Sequence, residues 1–178
     1  MQKYLTFALL LPLLSSCGPT LSPFTQQLYE ESRFTPEELQ QVQFYLSSDI
    51  ILTRELTGSK AEVVSGEIRM IDGRQVEQVV FRKGTPGVVQ FFPGEERLAV
   101  AFEGNGEGRY LIFGPNPSVS GRYTLRASDW QRRTGVVTYE GKKWRTGGEA
   151  ALATLLIDLD KVRQTDVRSR VASGRRVD

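Results

Sequence analysis

Histidine is absent from the 178 residues, and cysteine occurs once, at Cys17. Without histidine, the Ser-His-Asp and Cys-His catalytic arrangements and the common zinc sites cannot form. A single cysteine cannot form an intrachain disulfide, so the fold depends on packing alone. We therefore expect no catalytic residue, no metal site and no cofactor, and any catalysis would depend on carboxylates, lysine, tyrosine or serine.

A strong charge of either sign is also lacking. The chain has 23 lysines and arginines against 21 acidic residues, a formal net charge of +2. A domain that binds nucleic acid carries a marked positive field, which this composition does not supply. We expect no nucleic-acid partner.

The first apolar run is too short to cross a bilayer as a helix. It covers residues 4–14, whereas a spanning helix needs roughly 20 apolar residues. Lys3 precedes it, and Ser15, Ser16 and Cys17 follow it. A positive start, a short apolar core and small residues before a cleavage point are typical of a signal peptide.

Leu14-Ser15-Ser16-Cys17 resembles the lipobox of bacterial lipoproteins. The resemblance covers the signal region only. It implies that residues 1–16 are a signal peptide, that the Cys17 thiol receives a diacylglycerol, and that the new amine is acylated, with palmitate as a typical chain. The alternative is an ordinary secretory signal with a cysteine at the cleavage point by chance.

The same resemblance predicts a location. The residues after Cys17 are Gly18, Pro19 and Thr20, which lack the aspartate that often retains lipoproteins at the inner membrane. It implies a protein of the cell envelope, anchored in the outer membrane by its N-terminal lipid with a periplasmic domain. Two or three acyl chains make such attachment stable, because each buried methylene contributes ~0.8 kcal/mol.

Four segments are predicted along the chain. The signal peptide of residues 1–16 is followed by a lipidated tether with a short helix over 17–33. A β-rich globular domain with an N-terminal helix covers 34–163, and a basic tail covers 164–178. Residues 161–178 contain six basic and two acidic side chains, which predicts a solvated tail or contact with anionic headgroups or an acidic partner.

The fold class is predicted as mainly β, an antiparallel β-barrel or sandwich with one or two short N-terminal helices. Short apolar or alternating runs are separated by regularly spaced turn residues, with Asp72-Gly73 the strongest hairpin signal. Strands are predicted over 50–56, 62–71, 75–83, 88–92, 97–103, 109–113, 122–127, 135–139, 142–146 and around 155–162. Alternation predicts that Leu98, Val100 and Phe102 face the core and Ala99 and Ala101 the solvent.

Two helix starts are predicted before the first of these strands. Ser22-Pro23 is a plausible N-cap with proline at the first helical position. Thr35-Pro36-Glu37-Glu38 matches a capping box, after which Leu39, Val42 and Leu46 lie at helical spacing.

Two tryptophans next to basic residues are the candidate binding residues. An indole flanked by arginine or lysine can hold sugars, headgroups or peptides through stacking and charge-assisted hydrogen bonds. The alternative is that each indole covers the end of the core, with the basic stems lying over it. The candidate residues are Trp130, Arg132, Arg133, Lys142, Lys143 and Trp144.

Two other constellations are weaker. The glycines of 104–108 superficially resemble a phosphate loop, but a strand and not a helix follows them, and Glu103 and Glu107 would repel phosphate. Asp158 and Asp160 would share one face if they lie on a strand, which could raise one pKa for acid–base work. Solvated charges are the simpler interpretation of this pair.

These features lead to one main functional expectation and two alternatives. The main one is a membrane-anchored, non-enzymatic binding or structural module with a protein partner in an envelope assembly. The first alternative is a carrier of a lipid or other apolar ligand in a β-barrel cavity. The second is a carboxylate-dependent cell-wall hydrolase, which requires two suitably spaced acids in a cleft.

Overall fold

The computed structural model describes residues 20–56, 66–71, 74–94, 96–104, 108–131 and 134–166. Cys17 and the whole signal region lie outside these residues, as do Arg132, Arg133 and residues 167–178. The described chain is mainly β, with antiparallel sheets and three short helices. This confirms the predicted fold class. Sandwich-like sheets describe the arrangement, and the described strands do not form one closed barrel.

The first sheet has seven strands in the order β1-β13-β2-β6-β7-β8-β9. Every pairing in it is antiparallel. Its strands, in chain order, are β1 (Leu21–Pro23), β2 (Phe44–Leu46), β6 (Pro86–Phe91), β7 (Leu98–Ala101), β8 (Leu111–Asn116), β9 (Arg122–Leu125) and β13 (Leu155–Asp158).

The second sheet has six strands in the order β10-β11-β12-β3-β5-β4. It also pairs antiparallel throughout. Its strands are β3 (Ile50–Glu55), β4 (Glu67–Ile71), β5 (Arg74–Phe81), β10 (Asp129–Gln131), β11 (Thr134–Tyr139) and β12 (Lys142–Gly147). The predicted Asp72-Gly73 turn lies outside the described residues, but Ile71 pairs with Arg74 on either side of it.

Further hydrogen bonds bring the last strand of the first sheet back beside its first strands. Phe24 receives a bond from the Tyr123 amide and donates its own amide to Leu155, at 3.0 and 2.8 Å. An isolated bridge also joins Thr124 to Thr154, just before β13. The sheet is therefore strongly bent.

Large aromatic side chains fill the core. The largest fully buried side chains belong to Trp144, Tyr123, Tyr139, Phe24, Phe44 and Phe113. Many are in edge-to-face or tilted contact, such as Phe24 with Phe44 at a centroid distance of 5.2 Å. Burial of this kind is the main driving force for a domain without disulfides.

Two of the three helices lie near the N-terminus, and one of their predicted starts was wrong. Ser22 and Pro23 belong to β1, and helix α1 (Gln26–Ser32) is capped by Thr25, whose Oγ1 accepts from the Leu28 amide at 3.2 Å. The segment predicted as tether and short helix thus contains a strand paired with β13, because antiparallel pairing can extend into a segment without local β signal.

Helix α2 (Pro36–Gln41) confirms the predicted capping box. The Thr35 Oγ1 accepts from the Glu38 amide at 3.2 Å, and the Glu38 carboxylate accepts from the Thr35 amide at 2.8 Å. The helix does not continue to Leu46, however. Residues 44–46 form β2 between β13 and β6, so long-range pairing overrides the helical spacing there.

The C-terminal strand prediction was wrong in its second half. β13 ends at Asp158 and helix α3 (Leu159–Asp166) follows at once, which places Gln164–Asp166 in a helix and not in the predicted tail. The Asp158 Oδ1 accepts from the amides of Asp160 and Lys161 at 3.1 and 3.4 Å, as an N-cap does. Asp158 and Asp160 therefore do not share a strand face.

The alternation predicted for β7 was also wrong. Ala99 and Ala101 are buried along with Leu98 and Val100, so both faces of β7 are covered by other parts of the protein. A strand covered on both faces carries no polar side.

Candidate functional site

An open groove runs between β9 of the first sheet and the β10 to β12 side of the second. The 3-10 helix Gly148–Leu152 packs against both of these sides. The groove has a volume of about 830 Å³. We call it the Trp130 groove, and its lining includes Asp49, Ile51, Asn116, Thr124, Leu125, Arg126, Trp130, Thr146 and residues 147–152.

Trp130 is an exposed aromatic residue in this groove, and its indole has a fixed support. In the β10–β11 pairing Trp130 stands opposite Gly135. A Cβ at position 135 would lie 2.7 Å from Cζ3 of the indole, so the ring lies directly on the glycine backbone. The residue as a whole is 37% exposed. Gly135 thus provides a flat seat for the indole on the edge strand of the sheet.

Thr146 lies next along the same row of the sheet. It pairs with Gly135 on one side and with Leu52 on the other, so Trp130, Gly135, Thr146 and Leu52 cross four strands in register. Thr146 is 2% exposed, and its Oγ1 has no hydrogen-bond partner among the described residues. A buried hydroxyl without a partner is costly, and a ligand in the groove would relieve that cost.

Charges of both signs and further apolar side chains surround the groove. Arg126 is exposed, and its side chain packs over Gly114. Glu149 is exposed on the 3-10 helix, and Leu152 is 63% exposed. An exposed indole surrounded by charges of both signs suits a ligand or partner segment that has both an apolar group and polar groups.

Asp49, which also lines the groove, is held by hydrogen bonds within the protein. Its Oδ1 accepts from the Lys83 amide at 2.7 Å, and its Oδ2 accepts from Arg82 Nη1 at 3.0 Å. The Lys83 hydrogen bond, followed by that of Arg82, lowers the pKa of this exposed carboxyl below its usual value. Asp49 is a fixed negative charge at neutral pH.

The structure does not give the two tryptophans similar surroundings. Trp144 is fully buried, donates its Nε1–H to the Tyr139 carbonyl at 3.0 Å, and has the Arg54 guanidinium 5.4 Å from its ring centroid. Its position fits the core interpretation. Lys142 is half-buried and Lys143 exposed on β12.

A polar network that sequence reasoning missed joins the connection between β7 and β8 to the end of β11 and the turn that follows it. The Tyr139 hydroxyl donates to Glu103 at 2.6 Å, and Arg109 Nε donates to Glu140 Oε1 at 2.5 Å. Burial, then the bond to Glu103, raises the pKa of Tyr139, while the bond to Glu140 raises that of Arg109. Both carboxylates thus accept from protein groups. Because 31 and 36 residues separate the partners, no local pattern marks the network.

A second, mostly apolar groove lies between α1, α2 and α3. It has a volume of about 440 Å³, and we call it the helix groove. Its apolar lining consists of Leu28, Phe34, Val42, Leu159 and Val162.

The described residues contain neither a metal-binding group nor a membrane-spanning helix. Over the described ranges, no group of three or more acidic or cysteine side chains is arranged to hold a metal ion. None of the described helices has the length and apolar character to span a bilayer. No family model, curated protein or solved structure matches the chain.

Proposed function

We propose that this chain is a lipid-anchored module of the bacterial cell envelope that binds a protein partner in the Trp130 groove and carries out no reaction of its own. The lipobox resemblance at Leu14-Ser15-Ser16-Cys17 supports the anchor, the outer membrane as its place and the periplasm as the domain's compartment. The groove supports the binding role.

One observation carries the binding role, the row formed by Trp130, Gly135 and Thr146. It places an exposed indole on a rigid seat beside a buried hydroxyl that has no partner among the described residues. A side chain already held in one position loses little conformational entropy on binding, which is why rigid aromatic residues dominate interfaces. The Thr146 hydroxyl adds a polar group whose hydrogen bond a partner can satisfy.

The hydrolase alternative receives less support from the same structure. Glu103 and Glu140 are brought close to one network, yet they accept hydrogen bonds from Tyr139 and Arg109 respectively. In these hydrogen bonds the two carboxylates serve as structural acceptors.

The carrier alternative is supported by one feature, the helix groove. A carrier with its ligand inside the sheets would need an apolar cavity there, but aromatic rings such as Trp144 and Tyr123 fill the described core. The apolar lining of the helix groove favours a lipid at the surface instead. Lipid that co-purifies with the protein in stoichiometric amount would favour the carrier over the partner-binding module.

Crosslinking in intact cells tests the proposal, with partner capture compared between two variants. Trp130→Ala removes the indole of the groove, while Phe91→Ala removes an aromatic ring of similar exposure, 39% against 37%, from β6. We expect Trp130→Ala to reduce capture of the partner at least tenfold and Phe91→Ala to leave it unchanged. Equal capture by both variants, with intact folds, would contradict a partner in the Trp130 groove.

A further inference from the structure

The helix groove has the chemistry of a hydrocarbon site. Leu28, Phe34, Val42, Leu159 and Val162 line it, and each is only partly buried while packing against the main core. The groove is thus an extension of the core that the described residues leave open. Its volume of about 440 Å³ lies within the range of roughly 300–1,000 Å³ that is usual for small-molecule sites.

Three of the six polar residues that line the helix groove have side chains in hydrogen bonds within the protein. Gln43 Nε2 donates to the Gly87 carbonyl at 2.8 Å, Glu38 caps α2, and Asp158 caps α3. A polar ligand would have to compete with these bonds, whereas an apolar chain would not. The groove therefore suits an alkyl chain better than a polar solute.

The first described strand, β1, lies beside this groove. Leu21, the first residue of β1, pairs with Asp158, the last residue of β13, and Asp158 and Leu159 both line the groove. Cys17 precedes Leu21 by four residues. At ~3.3–3.6 Å per residue, the Cα of Cys17 lies at most about 14 Å from the Cα of Leu21. An acyl chain on Cys17 therefore begins within reach of the groove.

We propose that the helix groove shelters one acyl chain of the lipid on Cys17. This inference rests on the proposed lipid anchor, and it adds an intramolecular site for part of that anchor. A sheltered chain exposes fewer methylenes to water whenever the protein is outside a bilayer. It also holds α1 and α3 close to the attachment point of the lipid.

The test uses the full-length protein in cells fed with a fatty acid that carries a diazirine and an alkyne. After irradiation, the labelled protein is isolated through the alkyne, digested and mapped by mass spectrometry. We expect the fatty acid on the N-terminal peptide and intrachain crosslinks to residues 28–43 and 159–162. If the N-terminal peptide carries the label but its crosslinks go to phospholipid alone, the acyl chain does not occupy the helix groove, and the lipid anchor itself still stands. Absence of label from the N-terminal peptide would overturn the anchor and this inference together.

Matched variants test whether the intrachain crosslinks depend on the helix groove. Val42→Glu places a charge in the groove and should reduce the intrachain crosslinks at least fivefold. Val88→Glu makes the same change at a residue of β6 that is 44% exposed, and should leave them unchanged. Val162→Glu, on α3, repeats the test if Val42→Glu unfolds the protein, as judged by its urea midpoint. Wild-type crosslink yields in a folded groove variant would also overturn the inference.

Discussion

Replacing Thr146 by valine should make the protein more stable, although most buried substitutions do the opposite. Thr146 is 2% exposed, and its Oγ1 has no hydrogen-bond partner among the described residues. A buried hydroxyl in this state costs ~1–3 kcal/mol, and a methyl group of the same shape removes that cost. We expect the free energy of unfolding to rise by about 1–2 kcal/mol, which raises Tm by roughly 2–8 °C for a domain of this size.

Thr154→Val is the matched control for this prediction. Thr154 is also buried, 4% exposed, but its Oγ1 donates to the Leu152 carbonyl at 3.1 Å. Removing that hydrogen bond should lower the free energy of unfolding by ~0.5–1.5 kcal/mol. The two threonines should therefore move stability in opposite directions.

Urea denaturation at neutral pH measures both variants, and in-cell crosslinking measures partner capture. Thr146→Val should capture the partner several-fold less well, because a stabilising change at a binding site commonly weakens function. A loss of stability in Thr146→Val similar to that in Thr154→Val would mean that the Thr146 hydroxyl is hydrogen-bonded in the unbound protein. That result would contradict the claim that the Thr146 hydroxyl gains a hydrogen-bond partner only when a ligand binds.

Three further predictions concern Gly135, the cap of α2 and Asp49. Gly135→Ala places a methyl group against the Trp130 ring, so it should lower the free energy of unfolding, measured by urea denaturation, by ~1–3 kcal/mol and abolish partner capture. Capture at the wild-type level would contradict the role of Gly135 as the support of the indole. Thr35→Ala removes the capping box of α2 and should lower the free energy of unfolding by ~0.5–2 kcal/mol, whereas an unchanged urea midpoint would contradict it. Asp49 has a lowered pKa, so its contribution to stability is present above a pH of about 3.9 and is lost as the pH falls through its folded-state value. The difference in urea midpoint between wild type and Asp49→Asn should accordingly be largest at neutral pH and shrink in acid, and a constant difference would argue against the Lys83 bond as its source.

Local signals in the sequence predicted the parts of the fold that depend on local chemistry. The Thr35 capping box is present because its hydrogen bonds join residues three apart. The strand pattern held for most of the chain because alternation and turn residues reflect burial at short range. The fold class followed from these.

Long-range strand pairing determines the parts of the fold that local sequence patterns did not predict. Residues 44–46 match the helical stripe that begins at Leu39, but their partners in β6 and β13 lie about 40 and 110 residues away. The alternation of Leu155, Ile157 and Leu159 hides the cap formed by Asp158. No pattern at the scale of one element carries this information.

The two tryptophans show the same limit at the candidate site. Both have basic neighbours in the sequence, so composition gave them the same interpretation. Strand register separates them, because Trp130 stands opposite a glycine at the edge of the sheet while Trp144 lies inside the core. The Thr146 hydroxyl became a candidate only when its lack of a partner was visible.

A photoreactive amino acid placed at either of two positions shows whether the partner occupies the Trp130 groove. Leu152 borders this groove and is 63% exposed, while Met70 lies on the edge strand β4 and is 64% exposed. After irradiation of intact cells, we expect a discrete protein adduct from position 152 that disappears with Trp130→Ala, and none from position 70. An adduct from position 70 alone, or one from position 152 that survives Trp130→Ala, would contradict it.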